Sequence, residues 1–164
     1  GYFHTADDHE ALLLRGRPVE DGAEPSGKAV SALNMLRMAE LTDDEDARAR
    51  AHALFAAFAA PTGAGAPGLE GLVGALDFAL EPARQVVVVG PGPEALMAVV
   101  RRAFLPNRAL VVVGAPADHT LAADKVAREG RATAYVCRRG RCERPTTDPA
   151  ELERQLAAAP PSVD

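Results

Sequence analysis

The chain has 164 residues, of which 48% are hydrophobic and 25% charged, the composition of one globular domain or two small ones sharing a core. Its net charge of -5 at pH 7 argues against a nucleic-acid partner, because phosphate binding needs a clustered basic face. No apolar run approaches the length of a membrane span, so we expect no membrane contact and predict a cytoplasmic location.

The first part of the chain is predicted to be mostly helical. Short extended segments on either side of an acidic turn, at Tyr2 to Thr5 and at Ala11 to Leu14, predict a hairpin. A loop rich in turn residues follows from Arg15 to Lys28. Helical spacing of apolar residues then predicts a long helix from Lys28 to Leu41, with Ser26 as its N-cap.

Two further helices are expected before the composition changes. The segment Thr42 to Glu45 has the pattern of a capping box, and the amphipathic stretch after it predicts a second helix and an antiparallel helical hairpin. A loop from Pro61 to Gly68 leads to a third helix, Leu69 to Leu80, which Gly71 and Gly74 are expected to weaken.

The second part of the chain predicts a small α/β sheet. Two continuous apolar strands, Gln85 to Val89 and Ala109 to Val113, flank a helix from Pro93 to Phe104, which favours parallel strands in a β-α-β unit. A second helix, about Asp118 to Arg128, is expected to lead to a third strand, Ala132 to Cys137.

The chain is expected to close with a hairpin and a helix. A tight turn at Arg139-Gly140 ends the third strand, and Asp148-Pro149 has the pattern that starts a last helix. We therefore predict an α/β fold with two parts. Residues 1–82 form a hairpin and helices, and residues 83–164 form a mostly parallel three-stranded sheet with a C-terminal β-hairpin.

Polar side chains are concentrated in the loop from Arg15 to Lys28, where a rigid helix follows directly. Loops held by rigid elements are frequent sites of binding and catalysis. Ion pairing is the ordinary interpretation of these charges, with Asp21 or Glu24 as a general acid or base the alternative. Ser26 fits a helix cap better than a nucleophile.

Other motifs give weaker signals. Gly90 to Glu94 lies where a dinucleotide fingerprint would, but two prolines remove backbone donors, so a plain strand-to-helix turn is favoured. Cys137 and Cys142 flank the hairpin turn, where a disulfide is geometrically possible, although two reduced half-buried thiols are the favoured interpretation in a cytoplasmic protein. The pair supplies only half of a zinc site, the histidines are scattered, and no metal or cofactor is predicted.

Several segments, in the same order along the chain, resemble the C-terminal end of one known family. This is the thioredoxin-domain-containing family typified by bacterial YyaL and the vertebrate spermatogenesis-associated relatives. The matching segments are Leu14 to Arg17, Asp21 to Ala23, Pro25 to Gly27, Ala32 to Leu36, Ala75 to Phe78, Gln85 to Gly90, Phe104 to Asn107, Ala132 to Cys137 and Thr147 to Pro149. The chain departs from the family pattern Pro-Ser-Gly-Asn at one position, where it has Lys28.

The resemblance implies that the chain is the closing part of a longer protein. That protein would contain a thioredoxin-like domain and a helical barrel similar to six-hairpin glycosidases, and residues 1–82 would hold the last barrel helices. The partners implied are the rest of the parent polypeptide and a polar small molecule, and self-association of the fragment is expected because barrel helices expose apolar stripes.

The resemblance gives two hypotheses for function. The first is a C-terminal, non-catalytic region that contributes the Arg15 to Lys28 loop to a small-molecule cleft. The alternative is part of a carbohydrate-active enzyme similar to glycosidases or epimerases. The candidate site residues are Asp21 and Glu24 as acid or base and Arg15, Arg17, Ser26 and Lys28 as substrate contacts. Cys137 and Cys142 are redox candidates.

Overall fold

A computed structural model describes residues 3, 5–11, 13–18, 20–57, 67–81 and 83–158. The predicted positions Tyr2, His4 and 61–66 lie outside the described residues. The chain divides into two compact units, Gly1–Ala39 with Asp43–Glu81, and Glu40–Thr42 with Pro82–Asp164. Among the described residues, no helix is both long enough and apolar enough to cross a membrane.

The first unit contains α1 (Gly27–Thr42) up to Ala39, α2 (Glu45–Ala57) and α3 (Glu70–Leu80). Its buried core is built from small and branched residues, Ala29, Ala32, Leu54, Leu72 and Ala75. Alanine methyl groups allow close packing, and the partly buried Leu33, Met35 and Phe55 pack against this core. The predicted N-terminal hairpin is not observed, since the described residues of 3–18 contain no strand.

The joint between α1 and α2 differs from the predicted capping box. Thr42 is still the last residue of α1, which ends at Asp43 in the left-handed conformation with φ of 59°. The side chain of Asp44 accepts the Ala47 N–H at 2.9 Å and so caps α2 in place of the hydroxyl. A carboxylate is a strong acceptor at the positive end of a helix, which explains why Asp44 and not Thr42 is the cap of α2.

The second unit is a four-stranded sheet with strand order β2-β1-β3-β4. Its strands are β1 (Arg84–Val89), β2 (Arg108–Val113), β3 (Thr133–Arg138) and β4 (Arg141–Cys142), with helices α4 (Glu94–Arg102) and α5 (Pro149–Ala157). Val86 and Val88 pack on α4 and α5, whereas Val87 and Val89 pack on the opposite face with Ala122. Burial on both faces explains the uninterrupted valine run of β1.

The α/β class is confirmed, but the predicted direction of the third strand is wrong. Of the described strands only β1 and β2 are parallel, and β3 runs antiparallel to β1, so the sheet is mixed rather than mostly parallel. The predicted helix from Asp118 to Arg128 is absent, and two 3-10 turns, Pro116–Asp118 and Thr120–Ala122, take its place. Without a crossover helix the chain returns along the sheet in the opposite direction.

The last helix begins where the sequence predicts. Asp148 is its N-cap and accepts the Ala150 N–H at 3.0 Å, and Pro149 occupies the first helical position. At its other end, Arg84 and Arg138 both donate to the Ala158 carbonyl oxygen, at 2.8 and 2.9 Å. Guanidinium groups at the negative end of a helix stabilise it, so α5 is held at both ends.

Candidate functional site

Asp21 is the centre of the loop from Arg15 to Lys28, and its carboxylate joins two helix starts. Its Oδ1 accepts the Ser26 N–H at 2.6 Å, and its Oδ2 accepts the Gly71 N–H at 2.6 Å. The Asp21 N–H in turn donates to the Gly68 carbonyl oxygen at 2.5 Å. Ser26 caps α1 and Gly71 lies in the first turn of α3, where amides lack helical acceptors.

These contacts determine the protonation state of Asp21. The hydrogen bond from the Ser26 N–H lowers the pKa of the carboxyl below its ordinary value, burial acts in the opposite direction, and the Gly71 N–H lowers the pKa further. A general acid must hold a proton near the working pH. Asp21 is instead held as a carboxylate whose two oxygens are already engaged by backbone donors, as a structural tie requires.

Ser26 and Lys28 are also engaged inside the chain. The Ser26 Oγ accepts the Ala29 N–H at 3.3 Å, which is the cap that the sequence predicts. Lys28 is 3% exposed, and its Nζ donates to the Arg17 carbonyl oxygen at 2.7 Å. Burial, and secondarily the charge of Arg17, lowers the pKa of Lys28. Lys28 stands where the resemblance has asparagine, and its long side chain is hydrogen-bonded to the backbone of the loop at Arg17.

Arg15 and Arg17 lie against one aromatic ring. Their guanidinium carbons are 4.1 and 3.9 Å from the centroid of the Phe3 ring. Arg15 also donates to the Thr5 carbonyl oxygen at 2.7 Å and to the Asp7 carboxylate at 2.9 Å. Arg17 is exposed, so its charged group faces solvent while the ring restricts its orientation. Arg17 is thus an exposed cation of the loop that rests on an aromatic ring.

The other carboxylates of the loop do not join Asp21. Glu20 and Glu24 are exposed, and Glu24 contributes to the loop through its backbone carbonyl, which accepts the Gly22 N–H at 3.0 Å. Within the described part of the chain, no group of three or more His, Cys, Asp or Glu residues is placed to hold a metal ion. In the described part of the loop, the Asp21 carboxylate is engaged by backbone amides, whereas the Arg17, Glu20 and Glu24 side chains are exposed.

Two residues of this site have roles that the sequence patterns do not predict. A glycine inside a helix predicts only a weakened α3, yet a Cβ at Gly71 would lie 2.9 Å from the Ala29 side chain and 3.0 Å from Asp21 Oδ2. The extended pattern around Phe3 predicts a strand, not the support of two arginines. Glycine early in a helix is the available signal for the first role, and nothing in the sequence pattern indicates the second.

Cys137 and Cys142 form a disulfide, so the expectation of two reduced thiols is corrected. The antiparallel register places the two residues directly opposite each other, with 3.9 Å between their Cα atoms. Cys137 is buried in the core of the second unit, whereas Cys142 is exposed. The two-residue turn at Arg139-Gly140 creates this register.

The Gly90 to Glu94 segment is packed against its own chain. A Cβ on Gly90, which has a φ of 107°, would lie 2.6 Å from the Ala127 side chain. The Pro91 carbonyl oxygen accepts the Ala132 N–H at 2.9 Å. This geometry is that of a strand-to-helix turn closed by neighbouring backbone, as the two prolines indicate.

The fold is thus that of an α/β protein with a helical unit and a sheet-containing unit. The polar loop of the helical unit is ordered by hydrogen bonds inside the chain. Over 95% of its length the chain is 32% identical to spermatogenesis-associated protein 20 of Homo sapiens, and the proteins of the same name in Rattus norvegicus and Mus musculus are 32% and 30% identical. The chain is thus similar, over nearly all of its length, to one part of these spermatogenesis-associated proteins, which confirms the resemblance to those vertebrate relatives.

The relatives are much longer than this chain, which spans 21% of the length of the human protein. No profile of a known protein family matches the chain. No solved structure matches it either.

Proposed function

We propose that this chain is a C-terminal, non-catalytic region of a thioredoxin-domain-containing protein, in which the Arg15 to Lys28 loop contributes to a cleft for a polar small molecule. The observation that carries the proposal is the engagement of both Asp21 oxygens by the Ser26 and Gly71 amides. A carboxylate held in this way orders the loop, and its lowered pKa makes it a poor proton donor near neutral pH.

Arg17 is the proposed ligand contact. Its guanidinium group is exposed and lies 3.9 Å from the Phe3 ring centroid, so it is partly pre-organised for a planar anion or for hydroxyl groups. Arg15, Ser26 and Lys28 act in support of the loop through the contacts described above. The cleft itself requires the remainder of the parent protein, and a cytoplasmic location remains part of this proposal.

The alternative function is a part of a carbohydrate-active enzyme with a glycosidase-like or epimerase-like barrel. It needs Asp21 or Glu24 as an acid or base facing a second carboxylate across the substrate. The lowered pKa of Asp21 and the exposure of Glu24 give this alternative no support within the described residues.

The test is a ligand screen on the full-length parent protein, using thermal shift with neutral and acidic sugars as probes. We expect a ligand whose shift is lost in Arg17→Gln and retained in Arg50→Gln, a matched control that removes an exposed charge from α2. Equal shifts in the two variants would contradict the proposal. Turnover of a bound sugar that Glu24→Gln abolishes would favour the enzyme alternative.

A further inference from the structure

The disulfide of the second unit has one buried and one open side. Cys137 is 3% exposed and packs with Val87 and Tyr135, whereas Cys142 lies exposed on the two-residue strand β4. Disulfide exchange requires a thiolate to reach one of the two sulfur atoms. The Cys142 side of the bridge is the side that a dissolved thiol can approach.

Exposed arginines lie close to Cys142 along the chain. Arg139, Arg141 and Arg144 are exposed, and none of them forms an ion pair with any residue that the structure describes. Glu143 is the only acidic residue in the segment 138–144. Clustered arginines raise the local concentration of anions and stabilise a neighbouring thiolate.

From this geometry we infer that the Cys137–Cys142 bridge is a redox-active site that exchanges with anionic thiols. The incoming thiolate attacks the Cys142 sulfur, a mixed disulfide forms there, and the Cys137 sulfur leaves as a thiolate that takes a proton from solvent. A second thiol molecule attacks the mixed disulfide, releases the Cys142 thiolate and leaves as part of a new disulfide with the first thiol. Two thiols are oxidised and one protein disulfide is reduced.

Reduction leaves the fold in place. Strand β3 remains paired with β1 from Thr133 to Cys137, and the Tyr135 hydroxyl keeps its hydrogen bonds to the backbone of Val126 at 2.8 and 3.0 Å. The bridge closes a very short loop, and short loops restrict the unfolded chain little. The disulfide therefore affects the conformation of the hairpin formed by β3, the Arg139-Gly140 turn and β4. It has little effect on the stability of the sheet. This agrees with the predicted cytoplasmic location, where thiols reduce accessible disulfides.

The first experiment compares an anionic with a cationic thiol on the 164-residue chain. Glutathione and cysteamine are the probes, and acid quenching, alkylation and mass spectrometry give the rate of bridge opening. We expect Arg141→Gln/Arg144→Gln to lower the glutathione rate about threefold at low salt while raising or leaving unchanged the cysteamine rate. Arg128→Gln/Arg131→Gln, which removes the same charge beside the opposite end of β3, is the control and leaves both rates unchanged.

The inference would be overturned if the rate of bridge opening by glutathione changed neither with salt concentration nor in Arg141→Gln/Arg144→Gln. A bridge that millimolar glutathione fails to open in the folded chain, with the fold followed by circular dichroism, would overturn it as well.

The second experiment locates the attacked sulfur. Peptide mapping of the wild-type mixed disulfide is expected to place glutathione on Cys142, and an adduct on Cys137 would refute the mechanism. In the single-cysteine variants, Cys137→Ala leaves an open thiol that reacts at least about tenfold faster with an anionic disulfide reagent than the buried thiol left by Cys142→Ala. Mapping uses the unaltered protein, so it decides the question even where a variant folds poorly.

Discussion

At the scale of single residues, Asp21 explains most of what the loop does. One carboxylate satisfies amides at the starts of α1 and α3, and its partner in α3 lies 50 positions away along the chain. Charge-assisted bonds to helix amides are stronger than neutral ones and are favoured by the helix dipoles. Asp21 therefore ties the segment around Ser26 to the start of α3, whereas Arg17 is held by the Phe3 ring and by Lys28.

We predict that Asp21→Asn destabilises the chain by about 2 kcal/mol. The asparagine side chain keeps one acceptor oxygen. Its NH₂ group, however, would face a backbone N–H of Ser26 or Gly71, which is a donor and is left without an acceptor. Chemical denaturation at pH 7 measures the effect. Glu24→Gln, which alters an exposed side chain of the same loop, is the control and is expected to change the free energy of unfolding by less than about 0.5 kcal/mol.

The same residue predicts a pH dependence of stability. Because the pKa of Asp21 is lower in the folded than in the unfolded chain, its contribution is fully present above the unfolded value. It is lost as the pH falls through the folded value. Unfolding free energies measured from pH 7 down to about pH 3 are expected to fall less steeply in Asp21→Asn than in the wild type. Parallel curves for the two proteins would contradict the account.

At the scale of elements, the two glycines of α3 have different roles although they look alike in sequence. Gly71 faces Ala29 and Asp21, and a Cβ there would lie 2.9 Å from the first and 3.0 Å from the second. A Cβ added at Gly74 would meet no described heavy atom within 4 Å apart from its chain neighbours and the nearby backbone of α3, and this residue is exposed. Close approach of α3 to the loop explains the first glycine, and no contact explains the second.

The paired substitutions test this difference. Gly71→Ala is expected to lower the free energy of unfolding by about 1–2 kcal/mol, since the clash outweighs the gain in helix propensity. Gly74→Ala is expected to raise it by about 0.5–1 kcal/mol, because alanine only reduces the entropy cost of the helix. Thermal and urea unfolding of both variants give the two signs. Stabilisation by both changes would show that the close approach is absent.

The elements also show how far the sequence alone can lead. Hydrophobic periodicity and caps locate the helices α1, α3 and α5 and the strand β1, since these signals are local. The direction of β3 escapes prediction because no crossover helix forms before it, and nothing local in the sequence around Thr133 indicates which neighbour it pairs with. The double role of Asp21 cannot be predicted from local patterns either, because its second partner, Gly71, lies 50 positions away in the sequence.

At the scale of the whole molecule, charge and apolar surface are unevenly distributed. Residues 1–81 contain 14 acidic and 6 basic side chains, whereas residues 82–164 contain 9 acidic and 12 basic ones. In the first unit Val30, Val73 and Leu80 are 43%, 49% and 71% exposed. Exposed apolar side chains on a helix are typical of surfaces that associate with other protein surfaces.

We therefore predict concentration-dependent self-association of the isolated chain. Val73→Gln/Leu80→Gln is expected to weaken it, because these α3 side chains would be buried between copies. Val126→Gln, at a residue of the second unit that is 57% exposed, is the control and should have little effect. Sedimentation equilibrium measures the association. A single monomeric species at high concentration would contradict the prediction.

The most direct test of the account follows the Asp21 carboxyl carbon by NMR while the pH is lowered from 7 to about 2. If the carboxylate is a structural tie between two helix starts, it titrates below the ordinary aspartate value of 3.8. A titration at or above that value, as a poised acid or base would show, would contradict the account and make Asp21 a catalytic candidate again.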